Sequence, residues 1–171
     1  MIFQDMYKKD DEYYTPRYAV KPILKYLKPQ SKIWCPFDKA ESEFVKVLTE
    51  AGHEVIHTHI SENEDFFALA PPAADYIISN PPFSTRQAIF KRLYEIGIPF
   101  AMLLNFQGIF DNRARFEMFK THRVEMLWLS PRVTYIKPDG AKVGSPPFQS
   151  GYLMSGISQQ QLVFEYINKG E

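Results

Sequence analysis

The fold of this chain can be inferred from the stretch Asp75-Tyr76-Ile77-Ile78-Ser79-Asn80-Pro81-Pro82-Phe83. Its first part is a short apolar run, which is typical of a buried β-strand. Its second part contains two prolines, which cannot continue a central strand because they lack a backbone donor. The pattern predicts a strand that ends in a rigid turn at Asn80. In open α/β sheets, ligands bind at the carboxyl ends of the strands.

The elements around this stretch alternate between strands and helices. Thr15 is expected to cap a first helical turn, and Pro22 is expected to interrupt that helix. The predicted elements are a turn over 15–19, helices from Pro22 and over 44–51, 85–96 and 112–122, and strands over 32–35, 54–57, 76–79, 100–104, 124–129, 133–136, 151–154 and 161–166. This order predicts an α/β fold with helices on both faces of a mostly parallel sheet and an antiparallel edge.

Length and composition fit one folded domain over residues 1–171. The chain is 45% hydrophobic and 15% aromatic, which argues against a disordered protein. No apolar stretch is long enough to span a membrane, and the start Met1-Ile2-Phe3-Gln4-Asp5 does not resemble a signal peptide. The single cysteine, Cys35, cannot form an internal disulfide. We therefore expect a cytoplasmic protein that does not bind membranes.

The tetrapeptide Asn80-Pro81-Pro82-Phe83 resembles the catalytic motif of class I S-adenosylmethionine-dependent methyltransferases that modify a planar nitrogen, either adenine N6 or an amide. The resemblance implies that the Asn80 side-chain oxygen and the Pro81 carbonyl accept hydrogen bonds from the target amino group. It also implies that Pro82 stiffens the turn and that Phe83 stacks on an extruded base. The alternative is an ordinary loop, since Asn and Pro are common turn residues.

The resemblance extends along nearly the whole chain. Tyr14-Thr15-Pro16 is similar to an element that adenine methyltransferases place over the cofactor, and Asp65-Phe66 is similar to one whose acid contacts the cofactor's adenine. Arg132, Val133, Tyr135 and Pro146-Pro147-Phe148 resemble the closing region of small phage-type DNA adenine methyltransferases. The residues that the resemblance assigns to S-adenosylmethionine are Tyr14, Thr15, Pro16, Pro36, Phe37, Asp38, Asp65 and Phe66.

The cofactor region departs from the family pattern. The turn Asp38-Lys39-Ala40-Glu41-Ser42 contains no glycine, although the family's glycine-rich turn brings backbone close to the cofactor. Cys35 stands where a carboxylate is expected, and His57-Thr58-His59 replaces an acid expected on the ribose hydroxyls. Asp38 either substitutes for the missing carboxylate or caps the helix that follows. A divergent enzyme and an inactive relative both remain compatible with these departures.

Other reaction types have little support in the sequence. His53, His57 and His59 are close together, but no cysteine pair completes a four-ligand metal site. The chain has no phosphate-binding glycine loop and no Gly-x-Ser-x-Gly motif, which argues against nucleotidyl transfer and hydrolysis by a serine nucleophile. We therefore expect a reaction without a metal ion.

Charge is segregated along the chain, although the net charge is zero. Residues 13–37 carry five basic side chains and no acid, residues 38–75 carry nine acids and two lysines, and residues 84–142 carry ten basic side chains and five acids. This pattern suits a nucleic-acid partner, but solvated helix faces would look the same. The family resemblance implies methyl transfer to adenine N6, and with the basic segments it makes DNA the favoured substrate. RNA adenine, protein glutamine and an inactive binding protein are the alternatives.

Overall fold

The computed structural model describes residues 13–142 and 148–170, in which helices separate the first five of seven strands and the last three strands follow one another directly. The α-helices are α1 (Arg17–Val20), α2 (Glu43–Glu50), α3 (Arg86–Ile96) and α4 (Arg113–Thr121). Short 3₁₀ helices cover Lys21–Tyr26, Ile60–Glu62 and Phe83–Thr85. The strands are β1 (Lys32–Cys35), β2 (Glu54–His57), β3 (Tyr76–Ser79), β4 (Phe100–Asn105), β5 (Glu125–Ser130), β6 (Ser150–Ser155) and β7 (Leu162–Tyr166).

All seven strands form one sheet in the order β2-β1-β3-β4-β6-β5-β7. The pairs among β2, β1, β3 and β4 are parallel, and β7 is parallel to β5. Strand β6 is antiparallel to both of its neighbours. The predicted mostly parallel sheet with antiparallel pairing toward one side is confirmed. The carboxyl ends of β1, β3 and β4 consequently lie along the same edge of the sheet.

The sheet is covered on both faces because successive residues of its buried strands point to opposite sides. On β3, Ile78 joins the core under α1 and α2, whereas Ile77 joins the core under α3 and α4. All four residues of this strand are buried. Burial on both faces explains why the sequence shows a continuous apolar run there rather than an alternating one.

Two local predictions are wrong. Residues 133–136 are not a strand. Val133 and Tyr135 are buried, but among the described residues the segment makes only isolated bridges, from Ile136 to Tyr14 and to Lys142. Thr15 does not cap the first helix, since Pro16 holds the N-cap position and no side chain caps it. Burial against the sheet, not strand pairing, accounts for the apolar pattern of 133–136.

Strand β7 has an unusual exposed face. Leu162, Phe164 and Tyr166 alternate along it and are 48%, 70% and 89% exposed, whereas Val163 between them packs in the core. Within the part of the chain that the structure describes, β7 is the last strand of the sheet and pairs only with β5. None of the helices in this described part combines the length and apolar character that crossing a bilayer requires.

Candidate active site

A cavity of about 990 Å³ lies at the edge of the sheet where β1, β3 and β4 end. Tyr14 closes over it, since its backbone exchanges two hydrogen bonds with Ile136, at 2.7 and 3.0 Å. Ten of the residues that the sequence assigned to a site line this cavity: Tyr14, Thr15, Pro36, Phe37, Asp38, Phe66, Asn80, Pro81, Pro82 and Phe83. Two others, Pro16 and Asp65, do not line it.

Asn80 follows directly after β3 and is half-buried. Its side-chain Nδ2 donates a hydrogen bond of 3.0 Å to Thr15 Oγ1. Among the residues that the structure describes, Asn80 Oδ1 has no hydrogen-bond partner. The amide is therefore held through its donor, and its acceptor oxygen is available to a ligand in the cavity.

In the turn after Asn80, the solvent exposure of the side chains increases from residue to residue. Pro81 is buried, Pro82 is half-buried and Phe83 is 47% exposed. Proline fixes the backbone φ angle, so Pro81 and Pro82 restrict the positions of their own carbonyl groups. The guanidinium carbon of Arg86 lies 4.0 Å from the centre of the Phe83 ring, in a cation–π contact. One face of Phe83 is thus covered by Arg86.

Asp38 links the end of β1 to the end of β3. Its carboxylate is buried and accepts hydrogen bonds from Ser42 Oγ, at 2.7 Å, and from Ser79 Oγ. Burial raises the pKa of Asp38 to about 6, against the opposing effects of the Ser79 and Ser42 hydrogen bonds and of His57. The cap of α2 is Ser42, which accepts from the Val45 N–H. The helix-cap alternative for Asp38 is therefore wrong.

Phe66 and Asp65 have different environments. Phe66 is buried between Phe37 and Trp34, with ring centres 5.0 and 5.5 Å away. Asp65 Oδ1 accepts a hydrogen bond from the Phe67 N–H at 2.9 Å and so stabilises its own turn. The acid from this segment that lines the cavity is Glu64, which the sequence did not single out. A contact between Asp65 and a cofactor stays a prediction.

Several cavity residues were missed because their positions depend on the fold. Asn105 ends β4, the strand that pairs with β3, and lines the cavity, and its polar side chain at a strand end was the one available signal. Arg86 could have been found from its place three residues after Phe83. The remaining ones come from segments remote from the motif: Tyr13, Lys39, Glu41, Ser42, Glu43, Phe44, His59, Ile60, Leu104 and Ile136. Tyr135 and Phe148, which the sequence analysis placed in the closing region, also line the cavity. The predicted Pro146 and Pro147 lie outside the described residues.

The site contains no metal-ligand cluster in residues 13–142 and 148–170. No three His, Cys, Asp or Glu side chains come together there in a way that could hold an ion. His59 lines the cavity, whereas His53 is buried and its Nδ1 accepts from the Ser31 N–H at 3.2 Å. Histidines that are close in sequence thus lie in different environments and do not form one site.

No protein-family model and no curated protein sequence matches this chain. Among solved structures, a modification subunit of a putative type I restriction enzyme from Vibrio vulnificus is similar over 95% of this chain and 49% of its own, with 11% identity and a TM-score of 0.51. The M protein of the type I restriction enzyme EcoKI matches over 86% of this chain and 44% of its own, with 11% identity and a TM-score of 0.47. A dimethyladenosine transferase from Plasmodium falciparum matches over 84% and 62%, with 10% identity and a TM-score of 0.45.

This chain spans about half the length of the two restriction-enzyme subunits. The similarity to the Vibrio vulnificus subunit covers nearly all of this chain, including its mostly parallel sheet with antiparallel pairing toward one side. The chain therefore has the class I methyltransferase fold.

Proposed function

We propose that this chain transfers a methyl group from S-adenosylmethionine to the exocyclic N6 of adenine, with DNA as the favoured substrate. The observation that supports this proposal most strongly is the position and the hydrogen bonding of Asn80. It stands at the end of a central strand, inside the cavity, with Nδ2 bound to Thr15 and Oδ1 available as an acceptor.

The cavity fits the proposed cofactor in size and chemistry. Its volume of about 990 Å³ is at the upper end of the usual range for small-molecule sites, so a nucleoside cofactor and a base can be accommodated together. Phe37, which packs on the buried Phe66, offers aromatic surface to an adenine ring, and Glu64 offers a carboxylate oxygen to a hydroxyl or amino group. The Asp38 carboxylate already accepts hydrogen bonds from Ser42 and Ser79. When bound, S-adenosylmethionine supplies a methyl group on a sulfonium sulfur, and the sulfur keeps the bonding electron pair when the methyl group leaves.

The residues of the turn prepare the nucleophile. The lone pair of an adenine N6 is delocalised into the ring, which makes the nitrogen a poor nucleophile. Asn80 Oδ1 and the Pro81 carbonyl would each accept a hydrogen bond from one N6–H, which localises the lone pair on the nitrogen. After the nitrogen takes the methyl group, it loses one of these protons to solvent. The free face of Phe83 would hold the base in plane with these acceptors. Fixed geometry then supplies most of the acceleration.

Methyl transfer can be tested directly with labelled S-adenosylmethionine. Wild-type protein should label DNA, and the labelled product should be N6-methyladenine. Asn80→Ala should lower the rate by about 10²-fold, the scale of losing one preorganised polar group, with little change in cofactor affinity. Asn80→Asp keeps an acceptor oxygen and should retain more activity than Asn80→Ala.

The same assay separates the alternatives. RNA and a protein extract are offered in parallel with DNA, and the methylated atom is identified in each. Label on RNA adenine or on a glutamine amide would assign the reaction to that substrate instead of DNA. It would leave the proposed role of Asn80 unchanged. Equal activity of wild type and Asn80→Ala on every substrate would refute the catalytic assignment. Cofactor binding without transfer to any substrate would favour an inactive relative, as the glycine-free turn at Asp38–Ser42 allows.

A further inference from the structure

Arg86 occupies a position from which it can act on a substrate. It is the first residue of α3 and lines the cavity. Its guanidinium covers one face of Phe83 at 4.0 Å, and its Nη1 donates to the Asn105 carbonyl at 3.1 Å. The contacts fix the guanidinium at the rim of the predicted base-stacking surface. Its other donors have no hydrogen-bond partner among the described residues.

A second arginine is held by the same loop. Arg115 of α4 donates from Nε to the Ile109 carbonyl and from Nη2 to the Gly108 carbonyl, both at 2.9 Å. The segment 105–109 after β4 therefore receives donors from both arginines. Burial lowers the pKa of Arg86, and the positive charge of Arg115 lowers it further. The shared segment thus brings both cations to the same part of the molecule.

No carboxylate compensates these charges in residues 13–142 and 148–170. Neither Arg86 nor Arg115 takes part in an ion pair there, although Asp111 lies on the same loop. The first turn of α3 contains no acid, and no side chain caps it. A helix N-terminus of this kind attracts anions. Two guanidinium groups bound to one segment, without a carboxylate partner among the described residues, are suited to bind an anion.

We propose that Arg86 and Arg115 bind a backbone phosphate of the substrate, so that the substrate is a polynucleotide rather than a free nucleoside or a protein amide. This inference rests on the proposed function for its assignment of the base to Phe83. Arginine suits the role because its planar fork can bind a phosphate with two hydrogen bonds. The phosphate site and the stacking surface share Arg86, which places the charge next to the base.

The inference is tested by binding, not by methyl transfer. Fluorescence anisotropy is measured in the presence of S-adenosylhomocysteine, with a short single strand that contains one adenine. In a second strand, one phosphodiester next to the adenine is replaced by an uncharged methylphosphonate, and each flanking linkage is replaced in turn. The proteins are wild type, Arg86→Gln, Arg86→Lys and Lys91→Gln. Lys91 is an exposed residue of α3, so Lys91→Gln removes one positive charge from the same helix and serves as the matched control.

We expect one methylphosphonate to weaken wild-type binding by about tenfold and to have no further effect in Arg86→Gln. The slope of log affinity against log salt should become shallower by about 0.7 in Arg86→Gln, the value for one phosphate contact on a single strand. Arg86→Lys should recover part of the loss because it keeps the charge, and Lys91→Gln should behave as wild type. If Arg86→Gln also lowers the melting temperature, the comparison with Arg86→Lys separates the effect of the lost charge from the effect of lower stability.

The outcomes distinguish this inference from the proposed function. An equal methylphosphonate effect in wild type and Arg86→Gln overturns the phosphate site, even when the protein methylates adenine. Failure of wild type to bind any strand also overturns it and favours a protein amide. A methylphosphonate that weakens binding by wild type but not by Arg86→Gln supports the inference, even when no methyl group is transferred. The same strands made as RNA show which polymer binds more tightly, and coupling in either polymer supports the phosphate site.

Discussion

Asn80 Nδ2 and Thr15 Oγ1 are joined by a hydrogen bond of 3.0 Å across 65 positions of the sequence. The contact connects the segment that closes over the cavity with the turn that follows β3. Because the amide donates to Thr15, its oxygen is the atom left for a substrate. The N-terminal segment thus has a role in orienting the proposed catalytic group as well as in enclosing the cavity.

Removal of the Thr15 hydroxyl should loosen the Asn80 amide. We expect Thr15→Val to lower the rate of methyl transfer about fivefold to tenfold, which corresponds to the loss of one hydrogen bond of about 1 kcal/mol. Thr15→Ser keeps the hydroxyl and should retain most of the activity. The measurement is single-turnover transfer of a labelled methyl group. A Thr15→Val variant as active as wild type, or a Thr15→Ser variant that loses as much activity as Thr15→Val, would contradict the role of the hydrogen bond.

Phe83 should act through substrate binding. Phe83→Ala should weaken the binding of a substrate strand by about 1–3 kcal/mol, the value for one base stacked on an aromatic side chain. Phe83→Tyr keeps the π-face and should bind nearly as well as wild type. Phe116 of α4 is also exposed but does not line the cavity, so Phe116→Ala is the control. A change in cofactor affinity in Phe83→Ala would contradict a role limited to the substrate.

Asp38 should make stability depend on pH. Its pKa of about 6 in the folded protein is above its ordinary value of 3.8, so the folded state binds this proton more tightly than the unfolded state. The stability linked to Asp38 is therefore present below about pH 4 and is lost as the pH rises to about 6. The difference corresponds to about 3 kcal/mol.

This effect can be isolated by urea unfolding of wild type and Asp38→Asn between pH 4 and pH 7. The neutral amide should lack the dependence, so that Asp38→Asn gains stability relative to wild type as the pH rises. Asp111→Asn removes an exposed acid and should leave the wild-type profile unchanged. Parallel profiles for wild type and Asp38→Asn would show that burial of this carboxylate does not control stability.

The acid that contacts the cofactor can be identified by thermal shift. S-adenosylhomocysteine should raise the melting temperature of the wild type, since a ligand that binds only the native state stabilises it. Glu64 lines the cavity and its Oε2 accepts from the His59 N–H at 3.3 Å, whereas Asp65 does not line the cavity and its Oδ1 accepts from the Phe67 N–H. We expect Glu64→Gln to reduce the ligand-induced shift and Asp65→Asn to lower mainly the melting temperature without ligand. The opposite result would assign the contact to Asp65, as the family resemblance implies.

The strands could be predicted from sequence where burial imposes a simple pattern. Tyr76–Ser79 matches its prediction because a strand covered on both faces must be apolar throughout. Asn112 similarly marks the start of α4, where its side chain accepts from the Arg115 N–H. The segment 133–136 gave the wrong element because buried alternation looks the same whether or not a neighbouring strand is present. A local hydrophobic pattern shows which residues are buried, but it does not show whether a neighbouring strand pairs with them.

The site was predictable only where one short motif contains the chemistry. Asn80 and Phe83 belong to one tetrapeptide, so the sequence alone predicts that they lie in the same site. The partners of these residues come from distant segments, as Thr15 and Arg86 show. The role of Asp38 depended on Ser79, which lies 41 positions away. Such contacts are fixed by strand order, which single-sequence patterns do not specify.

Strand β7 has a practical consequence for work with the purified protein. Within residues 13–142 and 148–170 no strand pairs with its outer edge, and Leu162, Phe164 and Tyr166 expose their side chains there. Strand β7 itself contains no lysine or proline of the kind that usually blocks such edges. Concentrated samples are therefore expected to be limited by solubility before they are limited by unfolding. A lysine at Phe164, far along the sheet from Asn80, is the first change to make when preparing crystals or NMR samples.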